Sequence, residues 1–447
     1  MKGKGLLILL IIVSVTYVSN GARTIYVDDD SPADFDNIQA AIDDANNGDT
    51  ILIAEGIYTG SGNYNIDFKR KAITVRSTDP NDPSVVTNTI IYPNGTGTSR
   101  GFYFHRGEDA NSIICGLTIT NGYVLSGRGG AGIYCDNSSS PVISNCIISG
   151  NSAEMLGGGI LCDNNSSPVI VGCTISDNWA LDGGGVECSL GARPKFTNCV
   201  ISNNRALESS GGGGGLECTA NSSVELTNCT LVGNIASGFG GAVRCWQDSE
   251  VAIKNCILVG NDANEGLQIA LDSFISNPST VSVNYSDIEG GQEGVYACLG
   301  TILVWGSGNM DIDPCFASFD LNGDPNIWDF HLQSAYGRWD PNNKIWVTDS
   351  NMSPCIDTGD PNLDWSAEPW PNGKRINMGA YGGTNQASMN GNPGDFNIDG
   401  EVNFEDFCEL AGKWGYEGSF IENLNNNGTV DFADLRIFAE NWLWRQE

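Results

Sequence analysis

The stretch SSGGGGGLEC, residues 209–218, places five consecutive glycines directly before a Leu-Glu-Cys triplet. A run of glycines is typical of a flexible linker, but here the same pattern recurs at four other cysteines. The matching segments are GGAGIYC (129–135), GGGILC (157–162), GGGVEC (183–188) and GGAVRC (240–245). The glycine run is therefore part of a repeated unit and not a hinge between domains.

Ten of the 15 cysteines form five pairs, and the two members of every pair are 11 residues apart. The pairs are Cys135 and Cys146, Cys162 and Cys173, Cys188 and Cys199, Cys218 and Cys229, and Cys245 and Cys256. Successive pairs begin 27, 26, 30 and 27 residues apart. An asparagine follows the second cysteine of each pair by five residues, at positions 151, 178, 204, 234 and 261. A fixed period of this length predicts a solenoid, a propeller or an array.

The segments within each repeat are short, rich in β-branched residues and bounded by Gly, Asn and Ser, as in VIVGCTISDN (169–178). Such segments predict strands and not helix pairs. Alternation places Val186 and Cys188 on one face of a strand and Glu187 on the other. We therefore expect each repeat to be one rung of a parallel β-helix, with rungs about 4.8 Å apart. Apolar residues and cysteines would face inward, and the asparagine column would hydrogen-bond at a corner.

The repeats resemble the right-handed parallel β-helix superfamily that includes pectate lyases and polygalacturonases. The segment FDNIQAAIDDANNGDTILIAEGIY (35–58) is similar to the usual start of such folds. Phe35, Ile38, Ile42 and Ala45 have the spacing of one apolar helix face, and Gly48 is a plausible stop. This helix would cap the open end of the solenoid, which otherwise exposes a strand edge.

Beyond Asn261 the period fades, and three landmarks appear: VNYSDIEGG (283–291), WGSGNMDIDPCF (305–316) and SPCIDTGDPN (353–362). Together they resemble the C-terminal portion of secreted bacterial β-helix proteins. We expect an all-β fold with regular rungs over residues 23–270. Residues 271–390 would continue as irregular rungs with long loops.

The cysteine columns allow three interpretations. Metal binding usually needs clustered ligands such as CxxC, and the sequence has none. Disulfides are compatible with an exported protein. Inward cysteines on in-register strands can also stack as small apolar side chains, and we favour buried free thiols because packing alone explains the period.

Charge and the N-terminus limit the location and the partners. The formal net charge is −32, with 54 acidic and 22 basic residues, so binding to nucleic acid or to an anionic membrane is disfavoured. An acidic polysaccharide would need a bridging cation.

Residues 1–22 combine two lysines, an apolar core from Leu6 to Val15 and small residues near a cleavage site. This pattern predicts a signal peptide and not a membrane span, hence a secreted or surface-associated monomer; an uncleaved anchor is the alternative.

The composition changes at residue 391, and residues 391–447 carry two copies of a calcium-loop pattern. DFNIDGEVNFED (395–406) and NLNNNGTVDFAD (423–434) each have glycine at the sixth position, where an EF-hand loop turns sharply. The predicted Ca²⁺ ligands are Asp395, Asn397, Asp399, Glu401, Asn403 and Asp406 in the first loop, and Asn423, Asn425, Asn427, Thr429, Asp431 and Asp434 in the second. The second loop has fewer charged side-chain ligands, so we expect it to bind more weakly.

Two such loops, each followed by one short helix, resemble dockerin type I modules. The resemblance implies a cohesin-like scaffold or surface protein as partner. The sequence departs from the family at the contact positions 10 and 11, which are Phe404–Glu405 and Phe432–Ala433. A module that only clamps the chain end is the alternative.

In the superfamily that the repeats resemble, the working surface is usually one sheet face. The residues beside each first cysteine would form two outward columns on that face. The candidate catalytic residues are Glu187, Glu217 and Arg244, and the candidate ligand-binding residues are Tyr134, Asp136, Asp163 and Trp246. Two carboxylates one rung apart suit glycoside hydrolysis. They could also hold calcium against a uronate while a base removes a proton. The simpler alternative is a solvated sheet surface with cross-strand charge pairs.

The motifs of the catalytic relatives are missing. Polygalacturonases carry Asn-Thr-Asp and Gly-Asp-Asp at the turn that enters this strand, where this chain has glycines at 183–185 and 211–215. We therefore favour an exported protein that contacts polysaccharide and is tethered by the calcium-dependent module. A polysaccharide lyase or glycoside hydrolase, and a non-catalytic structural or adhesive repeat protein, are the alternatives.

Overall fold

The structure is a computed structural model that describes residues 21–30, 32–95, 97–273, 278–392, 394–397, 401–417, 424 and 429–443. Within these ranges, four parallel sheets form a solenoid, and each regular repeat between residues 123 and 265 contributes one strand to each sheet in turn. We number them sheet 1 to sheet 4 in the order in which a rung visits them. Sheet 4 carries the glycine–cysteine strands of the repeat.

The strand bounds follow the repeat closely. Sheet 1 contains Thr24–Val27, Thr50–Ile53, Thr74–Ser77, Ile113–Cys115, Val142–Ser144, Val169–Val171, Lys195–Thr197, Ser223–Thr227, Glu250–Lys254, Thr280–Asn284 and Ile302–Trp305. Sheet 2 contains Gly56–Tyr58, Thr89–Ile91, Thr118–Thr120, Ile147–Ser149, Thr174–Ser176, Val200–Ser202, Thr230–Val232, Ile257–Val259 and Asp287–Ile288. Sheet 3 contains Tyr123–Val124, Ser152–Ala153, Trp179–Ala180, Arg205–Ala206, Ile235–Phe239 and Asp262–Glu265. Sheet 4 contains Phe102–Phe104, Ile133–Cys135, Ile160–Cys162, Val186–Cys188, Leu216–Cys218, Val243–Cys245, Ile269–Leu271 and Tyr296–Ala297.

The first helix, Ile38–Asp44, confirms the predicted N-terminal cap. The side chain of Asn37 accepts a hydrogen bond from the backbone N–H of Ala40, which satisfies an unpaired donor of the first turn. Ile38, Ala41 and Ile42 are buried against the first strands of sheet 1. A second short helix, Pro83–Asn88, is capped by Asp82, whose side chain accepts a hydrogen bond from the backbone N–H of Ser84.

The structure confirms the prediction that both cysteines of each pair face the core and form two columns along the solenoid. All 15 cysteines are free thiols, and the ten of the paired columns are buried. The first cysteines of the pairs are register partners from Cys135 to Cys245 along sheet 4. The packing of small apolar side chains therefore accounts for the cysteine period without a cross-link.

The asparagine column forms a continuous hydrogen-bonded ladder at the corner between sheets 2 and 3. The side-chain amide of each asparagine donates to the side-chain oxygen of the next, from Asn151 to Asn261, over 2.8–3.0 Å. The same amides also donate to backbone carbonyls of the preceding rung, as Asn204 does to Ile175. All five side chains are buried, so the ladder satisfies groups that water cannot reach.

Residues 271–390, which we expected to form irregular rungs with long loops, divide into two parts. Rungs continue to Ile302–Trp305, but the chain from Phe316 onward folds back over the outer face of sheet 2. Two antiparallel hairpins lie in this returning segment, Phe316–Ser318 with Asp329–Leu332 and Arg338–Asp340 with Ile345–Val347. Its apolar residues pack on Val200, Val232 and Ile257, which point outward from sheet 2. The period fades because these residues cover a rung face instead of forming another rung.

The C-terminal region contains two further helices, Phe404–Gly412 and Phe432–Glu440. Their inward residues pack with Phe396, Val402 and Val430 as a separate small core. Among the described residues, no helix has the length and apolar character needed to cross a membrane.

Candidate functional site

The predicted catalytic residues lie together on the outer face of sheet 4. Glu187 is the register partner of Glu217, and Glu217 is the register partner of Arg244. The sequence therefore placed them correctly relative to one another. The expectation of an open surface is wrong, because the exposed fractions of the three side chains are only 0%, 2% and 3%.

The glycine-rich turns explain this burial. Each turn curls back against the face of the strand that follows it. A methyl group on Gly183 would lie 2.8 Å from both Cβ and a carboxylate oxygen of Glu187, and one on Gly213 would lie 2.6 Å from Cβ of Glu217. Both glycines also have positive φ angles, of 59° and 67°, which other residues rarely adopt. The glycines therefore let the turn cover the carboxylates.

Burial changes the protonation of both carboxyl groups. Burial, reinforced by the charge of Glu217, raises the pKa of Glu187 well above its ordinary value. Burial also raises the pKa of Glu217 to about 8, although Arg244 opposes the shift. Both oxygens of Glu187 and Oε2 of Glu217 are buried without a hydrogen-bond partner among the described residues. One proton held between the two carboxyl groups would give two of these three oxygens a partner, as in other close carboxyl pairs.

Arg244 is the centre of a buried charge network that the sequence did not reveal. Its Nη1 lies 3.1 Å from Oε1 of Glu217, and its Nη2 lies 3.0 Å from Oδ2 of Asp272. The guanidinium also lies 5.1 Å from the ring centre of Phe239 and 4.6 Å from that of Trp246. Trp246 is thus half-buried as part of the cover of Arg244. Asp272 could have been identified as the outward residue one rung beyond Trp246.

The other predicted ligand-binding residues form a second cluster at the N-terminal end of the same face. The hydroxyl of Tyr134 donates to Asp163 over 3.3 Å, and Ser189 donates to the same carboxylate. Arg128 forms an ion pair with Asp163. Burial, only partly offset by Arg128, raises the pKa of Asp163. Because Tyr134, Asp136 and Asp163 are all buried, they too do not present an open binding face.

An aromatic stack adjoins this cluster. The rings of His105, Tyr103 and Tyr134 lie nearly parallel, with centroid distances of 4.0 and 5.0 Å. Arg100 lies over Tyr103 and Tyr134, at 5.5 and 5.2 Å. Stacked aromatic and cationic groups stabilise neighbouring rungs.

The calcium-loop predictions lie partly outside the described residues, because Asp399, Asn423, Asn425 and Asn427 are not among them. In the first loop, the side chain of Asp406 accepts hydrogen bonds from the backbone of Phe396, Asn397 and Asn403. Asn403 caps the helix that follows, and Asp431 does the same in the second loop. Asp395, Asp406 and Asp434 are buried.

These loops offer only oxygen donors, from the residues named above together with Glu401 and Thr429. Hard oxygen donors suit Ca²⁺ better than softer metals. A buried carboxylate is also favoured by a nearby cation. The residues present therefore fit a calcium ion.

Sequence reasoning did not find a cleft between the sheet 2–sheet 3 corner and the returning segment. The cleft has a volume of about 520 Å³. One wall consists of Arg205, Ile235 and Asp262 on sheet 3, and the facing wall includes Leu321 and Trp328. The residue before each ladder asparagine is Gly150, Asp177, Asn203, Gly233 and Gly260 in successive rungs, so the glycines at 233 and 260 gave only a weak signal.

Those glycines admit the returning segment. A methyl group on Gly233 would lie 2.8 Å from the indole of Trp328, and one on Gly260 would lie 3.1 Å from Leu321. The indole nitrogen donates to the backbone oxygen of Asp320 over 3.0 Å, which holds the ring in place. Arg205 is exposed and forms no ion pair within the described part of the chain. The cleft thus combines a fixed aromatic ring with a guanidinium group that forms no ion pair among the described residues.

Residues 81–258 match the family model described as "Right handed beta helix region". The solenoid is a right-handed parallel β-helix. Solved structures to which the β-helix is similar include pectate lyase Pel9A, with 14% identity over 83% of this chain and 97% of that chain and a TM-score of 0.48. A rhamnogalacturonan lyase has 13% identity over 74% and 97% of the two chains, with a TM-score of 0.40. Pectin methylesterase from carrot has 14% identity over 63% and 88%, with a TM-score of 0.40. Comparison with curated proteins gives no match.

Proposed function

We propose that this protein is exported, binds polysaccharide on the outside of its β-helix, and is tethered by its C-terminal calcium-binding, dockerin-like module. The observation that supports polysaccharide binding is the cleft beside Trp328. Its volume of about 520 Å³ lies in the range of small-molecule and saccharide-sized sites.

The residues that line the cleft combine an aromatic surface with hydrogen-bonding groups, and a sugar ligand requires both. A sugar ring has an apolar face that packs on an aromatic ring, and hydroxyl groups that need donors and acceptors. Trp328 supplies the aromatic surface, Arg205 supplies N–H donors, and Asp262 and Glu289 supply acceptors. Glu289 is held by hydrogen bonds from the backbone of Gly260 and the side chain of Gln268.

The test is retention of the full chain on a panel of insoluble polysaccharides. We expect Trp328→Ala to weaken retention at least tenfold, because it removes the aromatic wall. Trp346→Ala is the matched control, since Trp346 is an exposed tryptophan on a hairpin away from the cleft. Retention by no polysaccharide, or equal retention by both variants, would refute the proposed site.

The tethering role rests on the two loops and on the helices that follow them. Phe404 and Phe432 are the first residues of the two helices and are exposed, at 67% and 77%. Apolar side chains that solvent reaches at equivalent places on two similar helices are suited to a protein partner. The chemistry of the loops would make docking dependent on Ca²⁺.

Two measurements test the tether. Calorimetric titration of Ca²⁺ onto the full chain should show a tighter and a weaker site, with Asp395→Ala removing the tighter one. Binding to a cohesin module, with and without Ca²⁺, should be lost in Phe404→Ala/Phe432→Ala. Failure to bind cohesin in the presence of Ca²⁺ would leave the chain-end clamp as the role of the module.

The enzyme alternative would use Glu217 as a general acid, because a carboxyl group with a pKa of about 8 stays protonated at neutral pH. Its burial beneath the glycine turn opposes this role, because a substrate needs contact with the carboxyl group. The polysaccharide panel decides between the two functions when it is also scored for soluble products. Product release that Glu217→Gln abolishes would establish the enzyme, and binding without release would exclude it.

A further inference from the structure

The outer side of sheet 3 carries a strip of large apolar side chains that solvent reaches. We call this set the sheet 3 strip; its members are Tyr123, Leu125, Met155, Trp179, Leu181 and Leu207. Their exposed fractions are 36–50%. Single exposed apolar residues are ordinary on a protein surface, but several large ones along one sheet are a candidate interaction site.

The strip is straight because the strands beneath it are in register. Tyr123 pairs with Ser152, Ser152 pairs with Trp179, and Trp179 pairs with Arg205. Tyr123 and Trp179 are therefore two rungs apart, about 9.6 Å at the usual strand spacing. The inward neighbours Val124, Ala153 and Ala180 are buried as a small cluster that fixes the backbone.

The strip leads directly into the cleft. Arg205 follows Trp179 in the outward column, and Ile235 and Asp262 follow Arg205. These last three residues form one wall of the cleft that Trp328 closes. The apolar strip and the cleft are thus one continuous surface that runs parallel to the solenoid axis.

The charge of this surface favours an uncharged ligand. In a chain of formal net charge −32, the apolar members of the strip are neutral, and the exposed residue between them on the middle rung, Glu154, is acidic and accepts a hydrogen bond from the hydroxyl of Tyr123. At the cleft, Asp262 and Glu289 outnumber the single cation Arg205. A polymer of uronic acids would meet repulsion from these carboxylates and from the whole chain.

We propose that the strip and the cleft together bind an uncharged polysaccharide chain lengthwise, with Trp179 and Trp328 as its main aromatic contacts. This proposal rests on the proposed polysaccharide-binding function and adds the class and the path of the ligand. Most strands of sheet 3 are only two residues long, so the strip is narrow. A stable protein interface usually buries about 800 Å² on each partner, whereas a linear polymer needs only a narrow straight track with a regular spacing.

The experiment compares Trp179→Ala with Tyr26→Ala in the full chain. Tyr26 is an exposed aromatic residue of sheet 1, which makes it a matched control. Affinities are measured by calorimetry for neutral gluco-, manno- and xylo-oligosaccharides of increasing length and for oligogalacturonates. We expect affinity for one neutral series to rise with length until the strip is filled. Trp179→Ala should weaken the long members at least fivefold and the short ones little, and Tyr26→Ala should leave all of them unchanged.

Different outcomes have different meanings. If no saccharide binds, the proposed function fails and this inference fails with it. If saccharides bind at Trp328 but Trp179→Ala behaves like Tyr26→Ala, only the strip is refuted. Preference for oligogalacturonates at low and high salt would overturn the uncharged class. Self-association of the native chain that Trp179→Ala abolishes, without an effect on saccharides, would assign the strip to a second copy.

Discussion

Glu187 and Glu217 are register partners on adjacent strands of sheet 4, and three of their four carboxylate oxygens are buried without a hydrogen-bond partner among the described residues. The fourth oxygen, Oε1 of Glu217, accepts a hydrogen bond from Arg244. The two buried carboxyl groups therefore need either a second cation or one proton to balance their charge. A proton is the simplest remedy, because the pKa values of both groups are raised.

Glu187→Gln should stabilise the protein at pH 8 and change its stability little at pH 5. A carboxyl group whose folded-state pKa is raised contributes stability below its unfolded pKa and loses it as pH rises through the folded pKa. For Glu217, this stabilising contribution is therefore lost as the pH rises through about 8. The amide keeps the shape, removes the charge and can donate to Glu217, which should add about 1–3 kcal/mol to the free energy of unfolding at pH 8. Urea unfolding at both pH values measures this. Glu225→Gln is the control, because Glu225 forms an exposed pair with Lys195. Destabilisation by Glu187→Gln at pH 8 would contradict the shared proton.

Arg244→Met should destabilise the β-helix by about 3–5 kcal/mol, because it leaves Glu217 and Asp272 without their cation in a buried site. The loss should be larger at pH 8 than at pH 5, where the carboxyl groups can take up protons. Lys195→Met removes the cation of an exposed ion pair, and it should lower the free energy of unfolding by at most about 1 kcal/mol. Equal losses for the two variants in urea unfolding would mean that the Arg244 network is not buried in solution.

Asn204→Ala should interrupt the asparagine ladder and lower the free energy of unfolding by about 2–4 kcal/mol. The substitution removes the donor to Ile175 and Asn234 and the acceptor for the backbone and side chain of Asn178. Buried groups left without partners cost about 1–3 kcal/mol each. Asn111→Ala is the comparison, because Asn111 lies in an exposed turn and, among the described residues, its side chain bonds to Asp109 alone. A loss no greater than that of Asn111→Ala would show that the ladder does not stabilise the rungs.

Thiol titration should find 15 reactive cysteines in denaturant without reductant, because every cysteine is a free thiol. In the native protein, Cys408 should react quickly, since it is exposed. The column cysteines should be protected; burial raises the pKa of Cys188 and Cys218 and so suppresses the reactive thiolate. Fewer than 15 thiols in denaturant would mean that disulfides form in the exported protein.

The sequence by itself determined that each repeat folds into one rung of the solenoid. A constant period makes residues about 27 positions apart neighbours on adjacent strands. That is why the cysteine and asparagine columns, the N-terminal helix and the pairing of Glu187, Glu217 and Arg244 could all be predicted. Alternation along a strand then decides which side chains face the core.

Only the tertiary structure decided which outward side chains solvent reaches. Alternation states that Glu217 points away from the core, but not that the turn at Gly213 lies over it. Nor does the period contain the returning segment, whose contacts join residues far apart in sequence, such as Asn198 with the backbone of Ala380 and Gly382. The repeated glycine turns buried the predicted site on sheet 4, and the returning segment built the cleft at Trp328, because exposure depends on every segment that crosses a face and not on the strand alone.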